Sequence, residues 1–596
     1  MDRKQTFAER ILGAPQGAIV FRSPDIVLSH DNTASIRKTF QKMGGSRVYD
    51  PGRLMIVLDH NAPPATAQLA NDYQGIRDFV HEQGVSRFYD AGRGICHQLM
   101  SRHARPGMII AGSDSHTCTA GAFNTLAVGI DRTETAGLWK REETWFRVPE
   151  SMKIILSGHL PRGVYAKDLS LWIIGKIGSE GANYLSMEFH GEGVRSLGIS
   201  DRMTLANLAS EMGAKNAVFP PDETLSEFYG GQMTGGVWAD EGADYIKVLD
   251  IDLDDVVPLV AAPHHVDNIK TVAEVAGTSV QEGLIGTCTN GRIEDLRVAA
   301  EILEGKTITP DFQLTVIPAS ADIYLQAVEE GIISTLIRSG ANVLSASCGA
   351  CLGTGQGIPA DGHAVISTAN RNFIGRMGNE KSRIYLASPA TVAASALAGN
   401  LSFPPGFRPG KNVSFPDRKA GATIVIPEGE NRRAGNVWNY ADIDNLNTDQ
   451  MFAGNLTYKI LSSDAAAILP HLFKGFDTHF AEAARQEDLI IAGDNFGCGS
   501  SREHPAVGLA NLGIRAVIVK SVNRIFFRSA INQGLPLIVH KEAVENYTRG
   551  DMVTVDFGKG VITVAGKEYC FTPLPGKLQE ILREKGLVNW ILKSGT

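Results

Sequence analysis

The chain has 596 residues, of which 43% are hydrophobic and 20% charged, a composition that fits folded globular domains and argues against disorder and coiled coil. A chain of this length is too long for one hydrophobic core and predicts several domains, about three to five. The formal net charge of -8 offers no basic field for nucleic acid or an anionic membrane, although a local cationic pocket for an acidic small molecule is compatible with it.

The N-terminal stretch MDRKQTFAERILGAPQG lacks the apolar core of a signal peptide and the Ser-rich, acid-poor composition of a transit peptide. No apolar run reaches the length of about 18 residues that a membrane helix requires. The sequence therefore predicts a cytoplasmic protein with no membrane or nucleic-acid partner. It leaves the oligomeric state open between a monomer and a homo-oligomer.

Short apolar runs followed by Gly-rich polar loops recur along the chain. In order they are PGMIIAGSDSHT, EGLIGTCTNGRIEDL, DGHAVISTANRNFIGR and EDLIIAGDNFGCGSSREH. Each is typical of a buried strand, a turn and the start of a helix. This alternation predicts an α/β fold, in which ligands bind beyond the carboxyl ends of the strands.

A change of composition between residues 400 and 437 predicts a domain boundary. The segment contains five prolines, much glycine and mixed charge, with little helical periodicity. We divide the chain into a large part, 1–400, with about three α/β subdomains, a linker with a first hairpin, 401–435, and a second α/β part, 436–596.

Three histidine and carboxylate groupings follow predicted strands in the first 120 residues. Asp59 adjoins His60 in VLDHNAPP, His97 lies in GICHQ, and Asp114 precedes His116 in GSDSHT. A carboxylate fixes the tautomer of a histidine and raises its pKa, so that the imidazole can deliver a proton near neutrality. Any one pair is equally explained as a capped turn or a core histidine, but three together favour a proton-handling site.

Seven cysteines, an odd and sparse number, argue against a disulfide framework. Cys348 and Cys351 form a CxxC pair, and Cys288 lies sixty residues before it in a Gly/Thr turn. Three readings are open: a zinc site completed by His363, a redox dithiol, or an iron–sulfur cluster with one iron free of protein ligands. The other cysteines stand alone and are interpreted as small buried hydrophobes: Cys96, Cys118, Cys498 and Cys570.

Two segments combine arginine with polar loop residues. STANRNFIGR contains Arg371 and Arg376, and GCGSSREH contains Ser500, Ser501 and Arg502 at a predicted strand-to-helix turn. Guanidinium groups pair with carboxylates, and helix starts offer backbone N–H groups to anions. Each segment alone is compatible with a surface ion pair or a helix cap, but together they predict a site for a substrate with two or more carboxylates.

The motifs, taken as an ordered set, resemble the aconitase and isopropylmalate dehydratase superfamily of hydro-lyases. The matching stretches span nearly the whole chain: DHN, GICHQ, GSDSHT, NLASE, GTCTN, SCGACLG, NRNFIGR, GDNFGCGSSREH and GLPLIV. The motifs DHNAPP, GTCTNGRIEDLR and NFGCGSSREHP resemble those of the isopropylmalate dehydratase and homoaconitase branch more than those of true aconitases. The resemblance implies a multidomain α/β fold in which a three-layered large part is fused to a swivelling domain that other members carry as a separate small subunit.

The resemblance also implies roles for residues that match the family motifs. The implied ligands of one [4Fe–4S] cluster are Cys288, Cys348 and Cys351. The implied catalytic residues are the base Ser500, the acid His60 with Asp59, and the supporting pairs His97 with Asp114 and His116 with Glu211. The implied substrate-binding residues are Ser115, Asn207, Arg371, Arg376, Ser501 and Arg502. The implied cofactor-binding residues are Asn290 and Asn370.

One loop departs from the family pattern. Where aconitases and homoaconitases carry an arginine for the distal carboxylate of the substrate, this chain has NLTYKIL, with Tyr458 and Lys459 and no arginine. Either Lys459 substitutes as a point charge, or the arm is an uncharged alkyl group. We expect a hydroxy-carboxylate substrate, first an alkylmalate such as isopropylmalate or dimethylmalate, and second a homocitrate-type tricarboxylate.

Two other classes of function are open to test. Cluster-free relatives in the superfamily can bind RNA, but the net charge of -8, the lack of a basic stripe and the complete acid and base set argue against that role. A structural zinc protein would carry tightly bound, colourless metal and would have no activity.

Overall fold

The computed structural model describes residues 3–407, 413–416, 436–457 and 459–594. Most of the predicted linker, residues 408–412 and 417–435, lies outside the described residues, as does Tyr458 of the predicted selectivity loop. The described chain forms sheets flanked by helices, and parallel pairing predominates. The predicted α/β class is confirmed.

Three sheets lie in the first 400 residues beside a two-stranded antiparallel ribbon, Ile19–Arg22 with Thr144–Arg147. The first sheet is parallel, in the spatial order Arg87–Tyr89, Leu54–Val57, Ile26–Ser29, Ile109–Gly112 and Leu126–Gly129. The second is parallel, in the order Asn216–Val218, Ser186–His190, Ser151–Ser157 and Lys247–Asp252. The third has seven strands, in the order Ile269–Thr271, Leu259–Ala261, Arg383–Leu386, Ala364–Ser367, Glu282–Ile285, Gln313–Val316 and Asn342–Val343.

The C-terminal part has two further sheets. One is parallel, in the order Val437–Tyr440, Leu489–Ala492, Ala516–Val519 and Leu537–Val539. The other is antiparallel, in the order Val553–Asp556, Val561–Val564 and Lys567–Cys570.

Helices cover the sheets and connect their strands. The α-helices are Phe7–Leu12, Thr33–Lys42, Ala67–Gln83, Cys96–Met100, Arg132–Lys140, Ala166–Ile177, Ile199–Leu208, Glu223–Phe228, Val272–Val275, Ile293–Leu303, Ala321–Glu329, Ile332–Arg338, Pro389–Ala398, Thr448–Met451, Ala465–Ile468, Phe480–Ala483, His504–Leu512, Arg524–Asn532, Lys541–Glu545, Gly576–Arg583 and Leu587–Ser594. The 3-10 helices are Pro51–Arg53, Thr117–Phe123, Glu192–Ser196, Ala209–Met212, Leu253–Asp255, Gly349–Leu352, Gly454–Leu456 and Leu469–His471. None of the helices described is both long and apolar enough to cross a bilayer.

The parallel strands are apolar on both faces. Leu54–Val57 (LMIV), Leu489–Ala492 (LIIA) and Ala516–Val519 (AVIV) are buried at every position. Helices on both sides of a parallel sheet require such runs, and each buried Val, Leu or Ile side chain contributes about 1.5–3 kcal/mol. The polar loops are left at the strand ends.

The strand order places two crevices where ligands bind in open α/β sheets. In the first sheet the order reverses between Ile26–Ser29 and Ile109–Gly112, and in the third it reverses between Glu282–Ile285 and Ala364–Ser367. A crevice opens beyond the carboxyl ends of the strands at such a switch point. The residues that follow these strands include most of the motifs identified in the sequence.

Buried polar contacts join the C-terminal part to the first sheet. Arg528 pairs with Glu134, both nearly fully buried, and its guanidinium lies 3.7 Å from the centre of the Trp145 ring. Asn532 Nδ2 donates to Asp131 Oδ2 at 2.6 Å. These contacts hold the helix Arg524–Asn532 against the start of the helix Arg132–Lys140, which follows the last strand of the first sheet.

Candidate active site

A cavity of about 650 Å³ lies where the first sheet, the third sheet and the C-terminal part meet. Its wall combines three kinds of side chain that rarely occur together: thiols, imidazoles and guanidinium groups. The lining residues are His30, His60, Ile95, Cys96, His97, Asp114, Ser115, His116, Arg132, Cys288, Cys348, Cys351, Leu352, Asn370, Arg371, Arg376, Thr457, Ser500, Ser501 and Arg502.

Asp59 orients His60 from behind the cavity wall. Asp59 Oδ1 lies 2.6 Å from His60 Nδ1, and Oδ2 accepts a hydrogen bond from the backbone N–H of Cys96 at 2.7 Å. Burial alone would raise the pKa of Asp59, but the charge and hydrogen bond of His60 lower it below its usual value. The carboxylate therefore stabilises a protonated His60, whose other face stacks on the ring of His30 at 3.8 Å.

Asp114 lies at the centre of the histidine cluster. Its Oδ1 lies 2.7 Å from His97 Nε2 and accepts from the backbone N–H of His116 at 2.8 Å, while Oδ2 lies 3.6 Å from His60 Nε2. Burial would raise the pKa of Asp114, yet the hydrogen bonds from the three histidines hold it well below its usual range. One carboxylate thus connects three imidazoles.

Glu211 joins a histidine to an arginine. Its Oε1 lies 2.7 Å from His116 Nε2, and its Oε2 accepts from Arg371 Nε at 3.0 Å. Although burial opposes ionisation, Arg371 and His116 lower the pKa of Glu211 to about 2. Arg371 Nη2 also donates to Ser115 Oγ at 3.0 Å, so the guanidinium is held in one orientation at the wall.

The three cysteines predicted as cluster ligands lie on the same wall. Cys288 follows a turn in which Thr287 adopts a left-handed φ of 67°, an uncommon conformation for a β-branched residue that costs about 1–3 kcal/mol. Asn370 lies between two of the thiols: its Nδ2 donates to Cys288 Sγ at 3.4 Å, and its Oδ1 lies 3.7 Å from Cys351 Sγ. The backbone N–H of Cys348 donates to the carbonyl of Asp59 at 3.0 Å, which ties the CxxC turn to the histidine cluster.

The Ser–Ser–Arg segment reaches the cavity from the C-terminal part. Gly499, with φ of 98°, turns the chain after Cys498, and the backbone N–H of Ser500 donates to Thr448 Oγ1 at 3.0 Å. Ser501 Oγ donates to the carbonyl of Ser113 in the first part at 3.2 Å. Arg502 is buried and pairs with Asp449 at 2.9 Å.

Some predicted residues lie behind the wall or away from it. Asp59 and Glu211 support wall residues, and Asn207 accepts a hydrogen bond from Asn370 Nδ2 at 3.2 Å. Asn290 donates to Asp295 at 2.9 Å, within its own turn. Lys459 is exposed and does not line the cavity, because the chain turns there and places Thr457 inward.

The wall also contains residues that the sequence analysis did not select, His30, Arg132 and Thr457, together with Cys96, which it read as a lone buried thiol. His30 follows the buried strand Ile26–Ser29 and precedes Asp31, so a histidine and an aspartate again follow a strand, although in the reverse order to Asp59 and His60. Arg132 follows a strand in the same way. Cys96, Cys118 and Cys498 are buried, in agreement with their interpretation as small hydrophobes, whereas Cys570 is exposed, so the interpretation is wrong for that residue.

Known proteins share extended sequence similarity with this chain. The aconitase family (aconitate hydratase) matches residues 4–399, and the aconitase C-terminal domain matches residues 433–542. The 3-isopropylmalate dehydratase large subunit 1 of Methanopyrus kandleri is 43% identical over 412 residues, which cover 67% of this chain and 99% of that protein. The probable methanogen homoaconitase large subunit of Methanosarcina mazei is 45% identical over 386 residues, covering 64% and 98%.

A crystal structure of 3-isopropylmalate dehydratase (leuD) from Methanocaldococcus jannaschii is 36% identical, covers 26% of this chain and 89% of that one, and has a TM-score of 0.24. The two family matches together cover most of the chain, in the same order as the motifs and the sheets. This chain is therefore a member of the aconitase family of hydro-lyases.

Proposed function

We propose that this chain uses a [4Fe–4S] cluster to remove water from a 2-hydroxy carboxylate that carries at least two carboxylates, and to add water back at the neighbouring carbon. The observation that supports it is the convergence on one cavity of three buried cysteines, a carboxylate-linked histidine cluster and an arginine-rich wall. The residues come from three sheets and from both halves of the chain. In the proposed reaction the cysteines hold the cluster, the histidines supply the proton and the arginines bind the carboxylates of the substrate.

The cysteines fit a cluster that has three protein ligands. Cys288, Cys348 and Cys351 are all free and buried, and burial raises the pKa of Cys348 to about 12. A thiolate at such a site requires a bound cation, since a buried unpaired charge is costly, and metal coordination would supply it. When bound, the cluster would supply a Lewis-acidic iron that polarises the C–O bond of the substrate.

His60 is the proposed acid for the departing hydroxyl. It lines the cavity, and Asp59 at 2.6 Å and Asp114 at 3.6 Å favour its protonated form. An imidazolium held between two carboxylates is both oriented and charged, which is what a general acid requires. The proposed role of His97 and His116 is to position Asp114.

Ser500 is the proposed base that removes the proton from carbon. Its hydroxyl has too high a pKa to act unaided, so its alkoxide requires neighbouring cations and N–H groups. Arg502, two residues along the chain, is buried and lines the same cavity, as do Arg371 and Arg376. The hydrogen bond between Ser500 N–H and Thr448 fixes the backbone that carries the hydroxyl.

The substrate carboxylates are assigned to the arginine side of the cavity. Arg371 is fixed by Glu211 and Ser115, so that little conformational freedom is lost when it binds an anion. Arg376, Ser501 and Arg502 complete the proposed carboxylate site. Asn370 is assigned to the cluster, because both ends of its amide lie near thiols.

The two parts of the chain have different proposed roles. The large-subunit-like part, 1–400, would hold the cluster and the acid, and the small-subunit-like part, 436–596, would supply the base and Arg502. Ser501 bonded to Ser113, and Arg528 paired with Glu134, join the two parts. Substrate access is then proposed to require these contacts to open, and closure would exclude water.

Anaerobic reconstitution with iron and sulfide tests the proposal. We expect a brown protein with broad visible absorption that converts 2-hydroxy carboxylates to enoates, followed by the ultraviolet absorption of the product. Zinc-loaded protein provides the control and should be colourless and inactive. A protein that takes up no iron, or that is equally active with zinc, would contradict the proposal.

A further inference from the structure

Lys167 is a fully buried lysine to which the proposed reaction assigns no role. It is the second residue of the helix Ala166–Ile177, and its side chain has no exposed surface. It does not line the catalytic cavity, so it lies behind the wall and away from the substrate. A lysine is almost never fully buried unless another group compensates its charge, so an anionic partner is expected nearby.

The ammonium group of Lys167 is held by two backbone carbonyls. Its Nζ donates to the carbonyl oxygen of Thr368 at 2.9 Å and to that of Ala369 at 2.6 Å. Neither acceptor carries a charge, and no ion pair joins this lysine to a carboxylate in the part of the chain that the structure describes. An ammonium group has three N–H donors, so the two carbonyls leave one donor and the positive charge to be satisfied.

The adjacent carboxylate, Asp168, bonds to other groups. Its Oδ1 accepts from the backbone N–H of Leu259 at 3.0 Å, and its Oδ2 accepts from the backbone N–H of Tyr165 at 2.9 Å. Burial raises the pKa of Asp168 to about 7. Asp168 is therefore a weak counter-charge for the lysine beside it.

The two carbonyls that hold the lysine belong to a turn that contacts the thiols. This turn continues into Asn370, whose amide lies 3.4 Å from Cys288 Sγ and 3.7 Å from Cys351 Sγ. Thr368 Oγ1 also accepts from the backbone N–H of Gly286 at 2.9 Å and donates to its carbonyl at 3.0 Å. Gly286 lies two residues before Cys288, so the lysine holds a turn that is bonded to a cysteine loop.

The thiolates of Cys288 and Cys351 are the anions that act most strongly on Lys167. Burial lowers the pKa of Lys167 to about 7, and the negative charges of these two thiolates, followed by that of Glu211, oppose the shift. A bound cluster would also be anionic, because three thiolates outweigh the positive charge of an oxidised [4Fe–4S] core. One-electron reduction makes the cluster more anionic, so a nearby ammonium group favours the reduced state.

We infer that Lys167 supplies a buried positive charge that balances the anionic cluster, raises its reduction potential and slows its oxidative loss. The inference rests on the proposed function and goes beyond it. Lys167 is a positioning residue, because it acts through the cluster and through the turn that carries Asn370. Net charge and hydrogen bonds near the sulfur atoms are the means by which a protein sets the potential of an iron–sulfur cluster.

The test compares three variants at position 167 in the anaerobically reconstituted holoprotein. Lys167→Met removes the charge and both hydrogen bonds, Lys167→Gln removes the charge but keeps an N–H donor, and Lys167→Arg keeps the charge. We expect the reduction potential, measured by redox titration of the cluster signal in EPR, to become more negative in the Met and Gln variants and to stay near that of wild type in the Arg variant. Loss of the visible absorption in air should be about tenfold or more faster in the first two variants.

Lys176→Met is the matched control, because it removes an exposed lysine of the same helix. Its reduction potential and its rate of cluster loss should equal those of wild type. If Lys167→Met does not fold, the comparison of Lys167→Gln with Lys167→Arg carries the test, since both keep an N–H donor and differ in charge. A Gln variant that cannot hold the cluster, beside an Arg variant that can, would support the inference.

The outcomes separate the inference from the proposed function. Equal behaviour of Lys167→Gln and Lys167→Arg, in potential or in cluster content, would overturn the inference, because the charge would then have no effect. An equal shift in Lys176→Met would also overturn it, since any lysine of the helix would then act alike. Failure of the wild-type protein to take up iron and sulfide would overturn the proposed function itself.

Discussion

Glu503 of the C-terminal part accepts two hydrogen bonds from Thr133 of the N-terminal part. Its Oε2 lies 3.1 Å from the backbone nitrogen of Thr133 and 2.9 Å from the hydroxyl oxygen. Glu503 directly follows Arg502, and Thr133 directly follows Arg132, so this contact joins two cavity residues from sequence positions 370 apart. The candidate active site is therefore built from residues of both parts of the chain.

Removing the Thr133 hydroxyl should displace the loop that carries Ser500 and Arg502. Thr133→Val keeps the side-chain shape but deletes two hydrogen bonds of the hydroxyl, one donated to Glu503 and one accepted from Gln533 Nε2 at 2.9 Å, which costs about 1–3 kcal/mol of stability. We expect turnover to fall roughly 3- to 10-fold with the visible spectrum unchanged, because the cluster site lies on other loops. Thr135→Val is the matched control, since the Thr135 hydroxyl donates only within its own helix, to the carbonyl of Asp131. If both variants lose turnover equally, docking is not the cause.

The base is tested by removing the Ser500 hydroxyl. Ser500→Ala should retain the brown colour and most of the substrate affinity, while kcat falls by at least about 10³-fold, as is typical for an essential catalytic group. Ser501→Ala should lower kcat far less, because Ser501 is assigned to substrate binding and not to removal of the proton. Steady-state kinetics on reconstituted protein measures both. A fast Ser500→Ala variant would place the base elsewhere.

The cluster ligands are tested by Cys348→Ser. Loss of one of three thiols should abolish both the visible absorption and turnover. Cys570→Ser provides the control, since Cys570 is exposed and lies on the antiparallel C-terminal sheet. It should behave as wild type in iron content, colour and rate. Retained activity in Cys348→Ser would rule out the assignment.

A buried group of carboxylates at the interface predicts a pH-dependent stability. Burial, followed by the charges of Glu503 and Glu134, raises the pKa of Asp131 to about 8 from an ordinary value of 3.8. Between these values the folded protein holds a proton that the unfolded chain has lost. The contribution of this group is therefore fully present below about pH 4, and the free energy of unfolding declines as the pH rises toward 8.

Asp131→Asn should remove this dependence. The amide retains a carbonyl oxygen that can cap the helix at Glu134, but it carries no charge to be buried. We expect the Tm of the variant, relative to wild type, to rise by a few degrees between pH 5 and pH 8 at equal cluster content. Parallel Tm profiles over this range would show that Asp131 does not titrate there.

The local rules of secondary structure explain why the fold class could be predicted. A buried apolar run followed by a Gly-rich polar loop occurs at Ile109–Gly112, Glu282–Ile285, Ala364–Ser367 and Leu489–Ala492, and all four are parallel strands. A strand that is buried on both faces requires a run of apolar residues. Such a strand can therefore be predicted from its own sequence, without knowledge of the strands that pair with it.

Many residues of the candidate site could be predicted from the chemistry of their side chains. Cys288, Cys348 and Cys351 and the Asp59–His60 pair were selected because thiols and carboxylate-linked imidazoles are uncommon and have few uses. The structure brings these residues to one cavity or directly behind its wall. Their proposed roles are tested by the experiments above.

The sequence by itself determined which strands form, which loops are polar and which reactive side chains those loops carry, since these depend on neighbours along the chain. Only the tertiary structure decided which side chains meet at one cavity. Arg132 and Thr457 meet at one cavity although more than 300 residues separate them, while Lys459, two residues from Thr457, faces solvent. Strand order and the docking of the two parts bring distant residues together, and no local pattern encodes either.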